Sequence, residues 1–262
     1  SKVILFVVSP CAILTSFMIE FTPDKLFGLG LALLGAFIVH VIYIPLTELL
    51  SKIFGFVPIE KATVIYSNSG NLIKEWVLYT SGYMIVQTIL LWTHAKSLVC
   101  NERQYDIKKI FLNVNVIAIM IGIILFLSQF QLPGLVVATF DKVGSMIGPL
   151  AMIVIGMLIG EMNFKDIFSE KRTYLICFMR LIVYPFIIVL VFQFTGLSTI
   201  SSDANQIFLI TILAASAPAA ATITQFAQLY NKHPGYASIM NVMSVIFSIV
   251  SMPLMVMIYQ LF

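Results

Sequence analysis

The sequence predicts an all-α integral membrane protein built from two halves of opposite membrane orientation. Three observations predict it. The 262 residues are 60% apolar and only 10% charged, with a mean hydropathy of +1.02, whereas soluble chains carry roughly 25% charged residues. Apolar runs long enough to enter a bilayer recur along the whole chain. Prolines and polar breaks also recur at matching positions in its two halves.

Composition excludes several classes at once. Charge is too low for a disordered chain, and 14 glycines without a triplet period exclude collagen. The three cysteines, Cys11, Cys100 and Cys177, are odd in number and widely spaced, so they read as inert thiols rather than disulfides or metal ligands. A net charge of +3, scattered along the chain, is too small for nucleic-acid binding.

A bilayer core about 30 Å thick needs about 20 apolar residues per helix. Nine segments are expected: Val3–Phe21, Leu26–Leu50, Glu60–Leu72, Trp76–Ala95, Ile110–Gln131, Met146–Met162, Thr173–Phe194, Asn205–Tyr230 and Gly235–Leu261. Pro133–Ser145 reads as an interfacial connector, and the third segment is too short to cross alone. If the spans alternate, one side receives Lys2, Lys52, Lys61, Lys96, Arg103, Lys108, Lys109, Lys165, Lys171, Arg172 and Lys232. The other receives Lys25, Lys74 and Lys142, and Arg180 stays inside a span. The basic side is cytoplasmic by the positive-inside rule, which puts the visible N-terminus inside.

The two halves align through their punctuation. Pro10 in "SPCAILTSFMIEF" matches Pro149 in "GPLAMIVIGMLIGEMNF" at an offset of 139, and Pro45 matches Pro185 at 140. "YTSGYMIVQTILLW" from Tyr79 lies against "YASIMNVMSVIFSI" from Tyr236 at 157. Five spans separate Pro10 from Pro149, so the halves enter the membrane in opposite senses, an inverted repeat. Residues 1–109 form the first repeat and 110–262 the second. The second half has five spans and the first four, so one more span is expected ahead of Ser1. After Leu72 the first half is also about ten residues shorter than the matching Pro218–Asn231 stretch.

Polar breaks fall at corresponding places. "VIYSNSGNLI" puts Ser67, Asn68, Ser69, Gly70 and Asn71 together inside a membrane segment, and "ILAASAPAAATIT" places Ser216, Pro218, Thr222 and Thr224 in its counterpart. Gly and Pro open a helix, and the freed backbone groups are tolerated only where they line a cavity or are buried in protein. A half-helix starting at such a break aims unpaired N–H groups and a positive dipole end at the bilayer centre, which favours a carboxylate.

In the order and spacing of these stretches the chain resembles the auxin efflux carrier family, which includes plant auxin carriers and bacterial permeases for malate or malonate. The resemblance runs over essentially all 262 residues. It implies a five-plus-five inverted-repeat transporter fold with two crossed broken helices. It also implies a homodimer joined through a scaffold built on the first two spans of each repeat. Two departures stand out: a Gly-x-Pro half-helix is absent after Leu72, and Val114 replaces the Pro that usually opens the sixth span.

The resemblance makes Asn68 the main substrate contact, with Ser16 and Gln87 facing the same cavity. Ser69, Asn71, Ser216 and Pro218 belong to the breaks, and Asn241 and Ser244 (the repeat partner of Gln87) are further candidates. Asn and Gln amides donate to carboxylate oxygens yet stay neutral when the site is empty. Ionisable residues in or near spans are Glu20, Glu48, Glu161, His94, Arg180 and His40. Of these, His40 is the deepest and is the candidate for protonation; Arg180 is expected to snorkel to the cytoplasmic interface.

Enzyme signatures are absent: no His-Glu-x-x-His, no Gly-x-Ser-x-Gly, no Walker loop and no intramembrane Asp pair. No cofactor and no metal are expected. The chain therefore reads as a permease of the bacterial plasma membrane. It would move a small organic anion, such as a dicarboxylate or an auxin-like carboxylate, by alternating access, with proton or sodium coupling left open. The alternatives are a passive channel or a non-transporting receptor on the same fold. The charge asymmetry makes one direct prediction: accessibility labelling should find Arg103 and Lys171 on the cytoplasmic side and Asp203 outside, and external labelling of Arg103 would overturn the orientation.

Overall fold

The structure, a computed structural model, describes residues 3–18, 22–67, 77–100, 112, 114–160, 168–201 and 203–261. Among these, regular structure is helical apart from an isolated antiparallel bridge between Ser67 and Ala219. In chain order the helices are α1 (Ser9–Ser16, continuing a π-helical turn at Ile4–Val8), α2 (Pro23–Phe54), α3 (Pro58–Ile65) and α4 (Val77–Leu90). A π-turn at Leu91–Ala95 leads into α5 (Lys96–Cys100), followed by α6 (Val114–Ser128), α7 (Gly134–Ser145) and α8 (Ile147–Gly160). The chain ends with α9 (Lys171–Thr195), α10 (Ala204–Ser216), α11 (Ala221–Leu229) and α12 (Pro234–Leu261).

Three helices, α2, α9 and α12, are long and apolar enough to cross a membrane, at 32, 25 and 28 residues. At 1.5 Å per residue they run about 38–48 Å, longer than the hydrocarbon core. Shorter apolar helices are Phe6–Ser16, Val114–Ser128 and Ala204–Ser216. The stretch expected as a connector, Pro133–Ser145, is itself largely helical as α7.

Local chemistry sets the boundaries. The Thr22 hydroxyl accepts from the Lys25 N–H at 3.3 Å, and Pro23 opens α2. This helix ends where Gly55 takes a left-handed φ of 63° and donates to Ser51 O at 2.8 Å. Three residues later Pro58 starts α3, with the Glu60 carboxylate accepting the Val57 N–H at 2.8 Å. This helix stops after eight residues because Tyr66 turns extended (φ −102°, ψ 131°). The eighth predicted segment, Asn205–Tyr230, is two helices. Pro218 disfavours a helical conformation for the residue before it, so Ala217 is extended (φ −63°, ψ 156°) and α10 ends at Ser216.

Small residues let the helices approach. A Cβ on Gly82 of α4 would lie 2.9 Å from Ala32 Cβ and 3.2 Å from Leu29 Cδ1 of α2. One on Gly35 would meet Phe208 and Thr211 of α10 at 3.2 Å. Ala32, Ala36 and Val39 are wholly buried in this seam, while large apolar side chains such as Phe37, Ile53, Ile124 and Val250 point outward. That is the arrangement expected where lipid rather than water is the solvent. Gly82→Ile should therefore cost about 1–3 kcal/mol through overpacking. Gly30→Ile, at a position where a Cβ meets nothing within 4 Å, should change little. Thermal unfolding in detergent compares the two, and equal melting would refute this packing account.

Candidate functional site

The two broken segments meet. Ser67, two residues past the end of α3, pairs with Ala219, which lies between α10 and α11, and the Ala220 N–H donates to Tyr66 O at 3.0 Å. Neither extended strand can use a helical ladder for its remaining groups, and each is completed by side chains from a neighbouring helix.

On the first strand, Gln87 of α4 holds Ser67 from three directions. Its Nε2 donates to Ser67 O at 2.6 Å. Its Oε1 accepts from the Ser67 hydroxyl at 2.7 Å and from the Ser67 N–H at 3.4 Å. On the second strand the same work is divided between two residues of α12. Asn241 Nδ2 donates to Ala219 O at 3.0 Å, and the Ala219 N–H donates to Ser244 Oγ at 3.0 Å. The Ser244 hydroxyl donates onward to Asn241 O at 2.6 Å. Gln87 and Ser244 are separated by the offset of 157 that relates the two sequence stretches.

Arg180 joins both breaks. It sits in a π-turn at Met179–Val183 of α9 and is wholly buried. One Nη donates to Val64 O at 3.0 Å, at the end of α3, and the other to Ala217 O at 3.0 Å, just past the end of α10. Carbonyls at a helix C-terminus lack helical partners and form the negative end of its dipole, so one guanidinium satisfies and neutralises both ends. The expected snorkelling of Arg180 is therefore corrected: protein carbonyls at the crossing take both Nη groups, although the buried Nε has no partner, and the side chain stays wholly inside the protein. His40 lies 140 positions before Arg180, the same offset that separates Pro45 from Pro185. His40 is also buried, with Nδ1 bonded to Ala36 O at 2.8 Å and its ring 5.9 and 5.6 Å from those of Tyr66 and Tyr83.

A cavity of about 390 Å³ opens beside the crossing. Ser16, Ser67 and Gln87 line it, together with Asp141 of α7 and Thr222 and Gln225 of α11. Ser16 Oγ donates to Ala12 O at 2.9 Å. The first-turn N–H groups of α11 have no carbonyl within that helix to accept them, and Ala221 and Thr222 place this turn on the cavity wall. Of the other expected site residues, Asn241 and Ser244 brace the second strand, Ser216 Oγ donates back to Ile212 O at 2.7 Å, and Pro218 forms the break. These four, and His40, do not line this cavity. Asn68, Ser69 and Asn71 lie outside the described residues.

A second polar cluster braces the ends of α3, α9 and α12. Glu60 is 1% exposed and takes Arg172 of α9 on both carboxylate oxygens, by Nε and by Nη2 at 2.9 Å. The Tyr236 hydroxyl of α12 adds a bond at 2.7 Å, and Arg172 also donates to Phe54 O at 3.2 Å. Sequence reasoning missed Glu60, Asp141 and Gln225. The only local signal for Glu60 was its place two residues after a helix-opening Pro.

A family model described as membrane transport protein matches residues 95–256. No curated protein matches the chain. If Arg180 is the pin of the crossing, Arg180→Met should cost about 1–3 kcal/mol for each carbonyl left unpaired. Arg180→Lys should recover only part, because a single ammonium cannot reproduce the guanidinium fork. Thermal unfolding reads both, and a wild-type melting temperature for Arg180→Met would remove Arg180 from this role.

Proposed function

The chain belongs to the auxin efflux carrier family of membrane transport proteins, and on that premise we propose that it is a secondary transporter moving a small organic carboxylate by alternating access. One observation carries the proposal. Two broken helices meet at Ser67 and Ala219 beside a polar-lined cavity, in a chain that is 60% apolar and only 10% charged. Irregular backbone at membrane depth accompanies substrate sites in transporters, where half-helix N-termini face anionic groups.

In this reading residues 1–109 and 110–262 are inverted repeats. The parallel bracing of Ser67 by Gln87 and of Ala219 by Asn241 and Ser244 supports that division. So does the pairing of His40 with Arg180 at a repeat offset. The carboxylate of the substrate lies against the first turn of α11 and the Asn68 amide, with Ser16 and Gln87 on the cavity wall. Ser69, Asn71, Ser216 and Pro218 shape the breaks. The crossed unit moves against a scaffold that pairs two copies of the chain in the bacterial plasma membrane. Coupling, if it uses a proton, has His40 as its candidate carrier.

Purified protein in liposomes should show saturable uptake and counterflow of a labelled small carboxylate. A charge-assisted hydrogen bond from Asn68, worth about 1.5–3 kcal/mol, makes Asn68→Ala about 10- to 150-fold weaker in binding. Asn68→Asp places like charges together and should nearly abolish binding at neutral pH, with partial recovery in acid as the new carboxyl protonates. Undiminished binding by folded Asn68→Asp would refute the carboxylate site. Current without saturable exchange would instead identify a channel, and binding without flux a receptor.

A further inference from the structure

The outer surface formed by α9 and α12 is not smooth. Between the two helices lies a furrow of about 400 Å³. Cys177, Leu181 and Ser251 form its floor and are buried, while Phe178, Val250 and Leu254 stand exposed along its rims. The lining is almost wholly apolar, and the hydroxyl of Tyr174, at one end, donates to Phe168 O at 3.2 Å. Here α9 and α12 meet through bulky side chains, with Ile239 and Met243 packed among Cys177 and Leu181. By contrast α2 and α4 close on Gly82. Helices held apart by large side chains leave space that a seam of small residues does not.

Charge at one end of the furrow gives the second, independent observation. Lys171 opens α9, and Lys232 lies two residues before Pro234, which opens α12. Arg172 and Tyr236 meet on Glu60, so the two helix starts are held side by side. Lys171, Tyr174 and Phe178 share one face of α9 at spacings of three and four, so the α9 wall of the furrow runs back to the lysine. Both Lys171 and Lys232 are exposed and neither has an ion pair among the described residues. Glu170 is the exposed acid beside them, which leaves two lysines against one carboxylate. With the basic side cytoplasmic, as the charge asymmetry predicts, this end lies in the leaflet where anionic lipids concentrate.

We propose that the furrow between α9 and α12 holds one acyl chain of an anionic phospholipid, with the headgroup phosphate at Lys171 and Lys232. The apolar floor takes the hydrocarbon, and the two lysines supply the charge that selects the head. A helix of a second copy, about 10 Å across, would lie over the furrow without filling it, whereas an extended hydrocarbon chain enters it. The inference is independent of the carboxylate site and holds whatever the transported substrate is.

Quenching of tryptophan fluorescence by brominated lipid tests this in vesicles carrying the full chain. Phe247→Trp places the reporter in the furrow, and Phe37→Trp places a control on the exposed face of α2. Each lies near the middle of its helix, and the signal of the parent protein is subtracted from both. In phosphatidylcholine vesicles with a minority of acyl-brominated phosphatidylglycerol, quenching at Phe247→Trp should exceed that at Phe37→Trp. The enrichment expected is about fivefold for each lysine engaged. Brominated phosphatidylcholine, in the same proportion, should quench the two reporters alike. Lys171→Gln combined with Lys232→Gln, both exposed changes, should bring the phosphatidylglycerol ratio close to one without lowering the melting temperature. Leu254→Trp, on the rim, replaces Phe247→Trp if that variant does not fold. Equal quenching of both reporters by phosphatidylglycerol, or an enrichment that survives loss of both lysines, would overturn the proposal. So would phosphatidylcholine enriched as strongly as phosphatidylglycerol, which would mean a furrow without headgroup selection. Protection of Phe247→Trp from both lipids would place a second copy of the chain there instead, and would overturn it as well.

Discussion

Everything around the crossing follows from one constraint: a polypeptide that leaves the helix inside an apolar protein must still pair its backbone N–H and C=O groups. In hydrocarbon no water substitutes, and each unsatisfied group costs several kcal/mol. Two half-helix ends and two short extended strands concentrate that demand at one place. A single backbone bridge between Ser67 and Ala219 meets only part of it. Gln87, Asn241 and Ser244 meet the strand groups, and Arg180 takes the carbonyls at Val64 and Ala217. The polar residues of an otherwise apolar chain are thus spent largely on backbone.

A buried guanidinium is expensive on its own, since isolating a charge from water carries a penalty of several kcal/mol. Its position answers the objection. The amino ends of broken helices carry partial positive charge and their carboxyl ends partial negative charge. Arg180 sits on the carboxyl ends of α3 and α10, and the cavity sits at the amino end of α11. Opposite faces of one crossing therefore present opposite polarity, with the protein's own cation filling the face that would otherwise attract one.

The Glu60 cluster works differently. It uses side-chain charge to tie helices that are distant in sequence, with 112 positions between Glu60 and Arg172 and 176 between Glu60 and Tyr236. Arg172 remains partly exposed (42% of its side chain) while Glu60 is buried. Solvent therefore weakens the Coulombic attraction at the arginine, and the hydrogen bonds to the buried carboxylate carry the greater share of the connection. Such a bond set holds the ends of α3, α9 and α12 together outside the apolar seam formed by Ala32, Ala36 and Gly82.

Hydropathy and local chemistry determined the helical class, the membrane setting and the places where helices break, because those depend on residue type and on neighbours a few positions away. Pro218 ends α10 through the sterics of the residue before it, and Pro23, Pro58 and Gly55 mark boundaries for equally local reasons. Gln87 and Ser16 were also legible as cavity residues from the resemblance. Only the tertiary structure decided what the polar side chains do. Asn241 and Ser244 turn to the backbone of Ala219, and Arg180 turns inward to two helix ends, because their hydrogen-bond partners arrive from segments 22 to 116 residues away. Asp141 and Gln225 reach one cavity for the same reason: α7 and α11 are far apart in the chain and adjacent only once folded. A linear pattern records which groups need partners; which partners they find is a property of packing.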